Sequence, residues 1–304
     1  MNRLAVESVL QIHPEAKVVV HFQNPPEGNP DWEALKRKAE FHPIELDAWL
    51  RELPGPLQPV GKVLEKISAS YPAGRSNVLR YLILYREGGI YLDFDTLTLQ
   101  PFTPLLGSPA FIGEEEVFRC DDDRIAGRYT WDFPIMAALF GVSYGLSYLN
   151  SRWLGNLGAL NAVNRGLMRL WSARKLNNAV LGSEPANAFF TKALELIPST
   201  EAGMRFALGP MLMNRTYDDL AESAVSIRRL DKDVFYTIPP SQTFRFFYGP
   251  APALSKEAIA IHWCSSNHRQ LAPKLTRAVL EDPFSPYSNS LYAQLARAII
   301  ARGI

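Results

Sequence analysis

Apolar residues recur along this chain with two periods, and the switches between them mark its elements. Leu4, Ala5, Val6, Val9 and Leu10 follow a helical face near the start. Within 16–22, Val18-Val19-Val20 is a β-branched run suited to a buried strand. Pro25-Pro26-Glu27-Gly28-Asn29-Pro30 is a loop by composition, and Ile44-Glu45-Leu46 suggests a second short strand. After the break Pro54-Gly55-Pro56, 63–68 reads as a helix. Leu79, Leu82 and Ile83 recur at helical spacing over 76–87, with Ser76 as a good N-cap and Gly88-Gly89 as the stop. Ile90-Tyr91-Leu92 is then a strand running into Asp93-Phe94-Asp95. Strands alternating with helices over the first hundred residues predict an α/β fold around a parallel sheet.

The middle of the chain breaks this rhythm. Between 133 and 164, Arg152 is the single charge, and a basic amphipathic stretch follows over 165–175. The α/β pattern returns at 177–196, 207–210 and 259–263, and 291–300 suits a closing amphipathic helix.

Composition narrows the function classes. With 304 residues, 47% of them hydrophobic, the chain can bury a sizeable core, which excludes disordered and low-complexity classes. Lys+Arg 32 against Asp+Glu 31 leaves a net charge of +1, so there is no global basic footprint for nucleic acid. Cys120 and Cys264 make no disulfide framework and no C-x-x-C zinc motif, and read as thiols of a reducing compartment. The N-terminus lacks the long apolar core of a secretory signal, which predicts a cytoplasmic protein.

Candidate chemistry centres on the acidic pair. Residues i and i+2 of a strand point to one side, so Asp93 and Asp95 form a carboxylate pair at the C-terminal end of a strand, the edge where α/β sheets collect ligands. Such a pair needs a counter-charge, and a hard divalent cation that shares its remaining positions with phosphate oxygens would supply it. Upstream, Asn77 and Arg80 share a helix face. Arg80 can reach an anionic ligand and Asn77 can bond hydroxyls, or Arg80 pairs with Glu87 or is solvated. Glu114-Glu115-Glu116 and Asp121-Asp122-Asp123 read as solvated loop charges, of which one could serve as an acceptor-side base.

The run from Ser76-Asn77-Val78-Leu79-Arg80-Tyr81 through Gly88-Gly89-Ile90-Tyr91-Leu92-Asp93-Phe94-Asp95 resembles the signature of glycosyltransferases with the DXD sugar-binding motif, in particular α-1,4-galactosyltransferases and α-1,4-N-acetylglucosaminyltransferases. Ala5-Val6-Glu7-Ser8 with His13-Pro14-Glu15, the segment at Asn177-Asn178-Ala179, Gly209-Pro210, Phe235-Tyr236-Thr237-Ile238-Pro239 and Ala260-Ile261-His262-Trp263 are similar to that family's further motifs, in the same order. The resemblance implies a GT-A (Rossmann-like) nucleotide-sugar-binding fold, a UDP-sugar donor, Mn²⁺ or Mg²⁺, and retention at the anomeric carbon. On this resemblance Asp93, Asp95 and His262 are the metal set. Asn77, Arg80, Tyr91, Asp93 and Asn178 contact the donor, and Glu184 joins Asp93 and Asp95 as a catalytic candidate. The acceptor would be a glycan, a lipid-linked molecule or another hydroxyl. A protein-glucosylating enzyme and a catalytically degenerate nucleotide-sugar binder or partner subunit are the alternatives.

The chain also departs from the family. Asn77 replaces an acidic residue usual after the serine, and Leu208 stands where a polar residue is common. There is no room before the early helix for the family's first strand, which points to a start assigned downstream. The expected organisation is one catalytic domain over 1–304, with a helical insertion at 118–175 and a C-terminal helical segment at 268–304. The uncharged part of that insertion reads as a helical pack or dimer contact. Alternatively, 133–175 is a peripheral membrane contact, with Arg165, Arg169, Arg174 and Lys175 meeting anionic headgroups.

Overall fold

The computed structural model describes residues 2–68, 71–118, 133–204, 206–221 and 227–302. Cys120 and the run Asp121-Asp122-Asp123 lie outside the described residues.

The first helix, Asn2–Ile12, leads to strand β1, Val19–Phe22, which pairs in parallel with β2, Glu40–Pro43. The second strand thus falls just before the expected Ile44-Glu45-Leu46, whose Ile44 and Leu46 pack instead against the main core. Helix Pro72–Glu87 starts a turn earlier than the sequence suggests, with proline in its first turn, so Ser76 is helical and not the N-cap. Its stop is as expected. Gly88 adopts φ 67°, which a side chain would resist, and its N–H bonds to the Leu84 carbonyl.

The central sheet has the order β3-β6-β5-β7, from Gly89–Leu92, Ser172–Ser183, Ala110–Phe118 and Arg228–Leu230. β6 is antiparallel to both β3 and β5, and β7 is parallel to β5. The α/β class is therefore as expected, but the parallel ladder is not. β3, β5 and β7 run the same way, and β6 is interposed against the direction of its neighbours. The strand-order pattern could not show that a late strand returns between two early ones. Glu114, Glu115 and Glu116 lie on β5, not on a loop, and Glu114 and Glu115 are buried. Both ladders are covered, with Ile112 and Leu181 against helices Pro72–Glu87 and Ala188–Leu196, and Phe111 and Val180 against Phe235 and Tyr236. At Gly182 a β-carbon would overlap the Phe111 ring, so this pairing requires glycine.

A separate two-stranded sheet pairs β4, Thr96–Thr98, with β8, Ala260–His262, antiparallel, against a core closed by helix Leu291–Arg302. The chain thus leaves one sheet at Leu92 and enters another at Thr96.

Among the described residues, two helices, Phe133–Trp153 and Gly158–Trp171, stand between β5 and β6. They bury Ser143, Asn150, Asn161 and Asn164 and expose Val142, Leu149, Trp153, Val163 and Leu170. Asn164 Nδ2 donates to the Ser143 carbonyl at 3.0 Å, and Asn150 Nδ2 to Asn161 Oδ1 at 3.0 Å. Among the described residues no helix is long and apolar enough to cross a membrane.

Candidate active site

Asp93 and Asp95 lie in the turn that carries the chain between the two sheets. The Asp93 N–H donates to the Ala179 carbonyl of β6, and the Asp93 carbonyl accepts from the Thr96 N–H and hydroxyl. On the other side, the Asp95 carbonyl accepts from the Trp263 N–H at 3.1 Å, continuing the β4–β8 ladder. The two carboxylates converge because of a turn pinned at both ends, and not through the side-to-side alternation of a strand.

Each carboxylate already has its own cationic partner. Arg80 Nη1 donates to Asp93 Oδ2 at 3.1 Å while Nη2 lies 3.0 Å from Oδ1, a bidentate pair. The Tyr91 hydroxyl donates to Asp93 Oδ1 at 2.8 Å, and the Arg80 guanidinium lies over the Tyr91 ring at 4.7 Å. Arg80 also donates to the Asn178 carbonyl, while its Nε is buried without a hydrogen-bond partner. On Asp95, Oδ2 accepts from the Ser265 N–H at 2.8 Å, and Oδ1 lies 3.2 Å from His262 Nε2. The side chain of Arg80 is 6% exposed, against 25% for Asp93 and 16% for Asp95, so the carboxylates form the accessible edge.

These surroundings set the charge states. Burial pushes the Asp93 carboxyl up while Arg80 pulls it down, and the Arg80 guanidinium itself stays charged. Burial also opposes ionisation of Asp95, but His262 and the Ser265 N–H outweigh it and hold this carboxyl well below the usual carboxylate range. His262 is burdened by burial, yet Cys264 and Asp95 hold its imidazole well above its ordinary value.

One oxygen each from Asp93 and Asp95 and a ring nitrogen of His262 lie within 4.8 Å of one another. Two carboxylates and an imidazole form a donor set that suits a divalent cation. The sequence points to a divalent cation as the counter-charge and to Glu87, solvent or a ligand as the partner of Arg80; in the structure Arg80 and His262 supply counter-charge within the protein.

Asn77 and Asn178 form the neighbouring wall. Asn178 Nδ2 donates to Asn77 Oδ1 and to the Tyr81 hydroxyl, both at 2.9 Å, and that hydroxyl donates to the Leu208 carbonyl at 3.0 Å. β6 reaches this place through a register break. Ile112 pairs with Leu181 but Gly113 with Asn177, so the intervening residues bulge from the β5 ladder. Gly209 closes the wall, where a β-carbon would stand 3.0 Å from the Asn77 amide nitrogen.

The structure therefore brings together Asn77, Arg80, Tyr91, Asp93, Asp95, Asn178 and His262. Glu184 is not among them. It is exposed and follows Ser183, which pairs with Gly89 at the start of β3, so the length of that strand separates it from Asp93. Sequence reasoning missed Tyr81, Ser265 and Cys264 as site residues, and it read Glu115 as a solvated loop charge or an acceptor-side base. Cys264 adopts φ 51°, and its Sγ lies 3.5 Å from His262 Nδ1 and 4.0 Å from Glu115 Oε1. Its place two residues after His262 was a usable signal, whereas Glu115 reaches the cluster only through sheet pairing.

Residues 2–112 match the family model of the glycosyltransferase sugar-binding region containing DXD motif. That span, about a third of the chain, includes Asn77, Arg80, Tyr91, Asp93 and Asp95. Asn178, His262 and Cys264 lie beyond it. In structure the chain is similar to the PaToxG glycosyltransferase, with 15% identity, 74% of this chain and 66% of that chain covered, and a TM-score of 0.42. It is also similar to the ligand-free glycosyltransferase domain from the YGT toxin, with 11% identity, 66% of this chain and 54% of that chain covered, and a TM-score of 0.32. The chain thus spans about two thirds of the first and about half of the second. No curated protein matches it by sequence.

Proposed function

We propose that the chain is a metal-dependent retaining glycosyltransferase that moves a hexose from a UDP-sugar to a hydroxyl acceptor, a glycan or a lipid-linked molecule. The observation that carries this reading is the pinned turn, where Asp93 and Asp95 of the matched sugar-binding region meet His262, from beyond it, at an accessible edge. Asp93, Asp95 and His262 are the residues that would hold Mn²⁺ or Mg²⁺, and the imidazole favours Mn²⁺. A bound cation would offset the negative charge that builds on the departing diphosphate. Arg80 locks the Asp93 carboxylate through two parallel hydrogen bonds, and Tyr91 steadies the same group. Asn77 and Asn178 fix one another and define the wall on the donor-sugar side. The whole of 1–304 acts as one catalytic unit in this reading, with 118–175 as an insertion.

A lipid-linked acceptor agrees with the helix pair, whose apolar residues face outward beside the exposed Arg165 and Arg169. This face would dock peripherally on an anionic membrane surface. Flotation with anionic vesicles at low salt tests it, and an absence of binding removes this part of the proposal.

The deciding experiment is a donor screen with UDP-galactose, UDP-glucose and UDP-N-acetylglucosamine plus Mn²⁺, reading sugar release and transfer. Turnover that survives intact in Asp95→Asn overturns the assignment. A second reading, a nucleotide-sugar binder without turnover, is favoured by one observation: Arg80 already balances the Asp93 charge. Calorimetric binding of UDP with Mn²⁺ in the absence of any turnover would select it. Transfer to a protein acceptor instead of a glycan or lipid would select the protein-glucosylating alternative.

A further inference from the structure

Behind the acidic turn lies a second cluster that shares only His262 with the donor chemistry above. Glu115 from β5, His262 from β8 and Cys264 from the following turn each offer a ligand atom, all within 4.8 Å of one another. We propose that these three side chains form a site for a thiophilic divalent cation such as Zn²⁺, and that its occupancy withdraws His262 from the Asp93–Asp95 edge.

The geometry already approaches a zinc site. Tetrahedral zinc with a thiolate at about 2.3 Å and an imidazole nitrogen at about 2.0 Å sets sulfur and nitrogen roughly 3.5 Å apart. Cys264 Sγ and His262 Nδ1 are 3.5 Å apart, and Glu115 Oε1 is 4.0 Å from the sulfur, so only the carboxylate must close in. The outer contacts have the arrangement that orients ligands. Asn177 Nδ2 donates to Glu115 Oε2 at 2.6 Å, which turns Oε1 toward the thiol. His262 Nε2 faces Asp95 Oδ1 at 3.2 Å, so with the ring proton on Nε2 the Nδ1 lone pair points at the cluster. Backbone contacts from Trp263 and Ser265 to Asp95 bracket Cys264 and hold its thiol in this direction.

Thiolate and imidazole select Zn²⁺ or Cd²⁺ over Mg²⁺, the reverse of the carboxylate-rich edge. Binding releases two protons to solvent, one from the Cys264 thiol and one from Nδ1 of the His262 imidazolium, and moves no electrons. With Nδ1 bound to the cation, Nε2 keeps its proton toward Asp95 and cannot also ligate a cation at the edge. The two sites therefore compete for one ring. The site itself stands independently of the proposed function, and only this competition depends on it.

Titration of the metal-stripped full chain with Cd²⁺, read by thiolate-to-metal ultraviolet absorption, and with Zn²⁺ by calorimetry, tests the site. One equivalent of the absorption band is expected in the wild type and in Cys120→Ser, and none in Cys264→Ser. Glu115→Gln should weaken Zn²⁺ at least about 10-fold. Asp95→Asn should keep the band, which separates this site from the acidic edge. Circular dichroism of each variant checks its fold. A band that persists in Cys264→Ser, or unchanged Zn²⁺ affinity in folded Cys264→Ser and Glu115→Gln, overturns the site. Electron paramagnetic resonance of Mn²⁺ tests the competition: one equivalent of Zn²⁺, the amount the Cys264 site takes up, should weaken Mn²⁺ binding in the wild type. Equal Mn²⁺ binding with and without Zn²⁺ in the wild type overturns the competition, and loss of donor turnover alone bears on neither result.

Discussion

The turn at Asp93–Asp95 and the helix pair at 133–171 both bury polar side chains, but in opposite arrangements. At the turn, charged groups of opposite sign meet, and the two carboxylates remain partly open to solvent. In the helix pair, neutral serines and asparagines face each other inside while tryptophan, leucine and valine face outward. Buried polarity alone therefore does not mark a reaction site. The turn stands apart because its charge is concentrated, its partners are fixed and its edge is reachable. The helix pair satisfies its polar groups internally, and what it offers to the outside is apolar surface.

The largest expected effect strikes the turn. Asp93→Asn and Asp95→Asn should each lower sugar transfer by at least about 100-fold, as loss of charge stabilisation at a reacting centre does. Transfer assays check this, and comparable loss from a substitution in the helix pair would erase the contrast. Next comes Arg80→Met, which strands the Asp93 charge and should cost about 3–5 kcal/mol of stability. Denaturant unfolding checks it, and adding Asp93→Asn should restore part of the loss.

A third prediction concerns acid. His268 is buried, donates to or accepts from the Thr243 hydroxyl at 2.8 Å, and is pushed down by burial to about 4. Its folded value lies below the ordinary histidine value of about 6.5. Below that ordinary value the unfolded chain takes up the proton more readily, so stability should fall as pH drops from about 6.5 through about 4. Unfolding curves across this range should flatten in His268→Gln. In the helix pair, Asn164→Ala should cost about 1–3 kcal/mol by removing the two buried hydrogen bonds it makes with Ser143, with transfer kept. Glu184→Ala should change neither stability nor transfer measurably, because the side chain is exposed and distant from the turn.

Much of this was legible in the residues. The helix before Gly88-Gly89, the strand at Ile90-Tyr91-Leu92 and the acidic pair are encoded within about twenty positions, by helical spacing, a glycine stop and a β-branched or aromatic run. The late strand at Ala260–His262 was also legible from its apolar run. The misreadings share one cause. Glu114-Glu115-Glu116 reads as a solvated charge run, yet packing around β5 buries two of the three and gives them Asn177 of β6, Arg229 of β7 and Cys264 beyond β8 as neighbours. Glu184 follows a buried strand by sequence, and the antiparallel register then carries it to the wrong end. No local pattern contains a register.

The sequence by itself determined which chemical groups this protein has to work with and the local elements that present them, because turns, stops and helix faces depend on neighbours along the chain. Only the tertiary structure decided the pairings: Arg80 with Asp93, His262 with Asp95, and Cys264 with Glu115. Arg80 and Asp93 are 13 positions apart, across a helix stop and a strand, whereas Glu115 and Cys264 are 149 apart and meet only when separate strands are packed together. In a buried cluster the partner, far more than the residue type, sets the charge a group carries and the ligand it can hold.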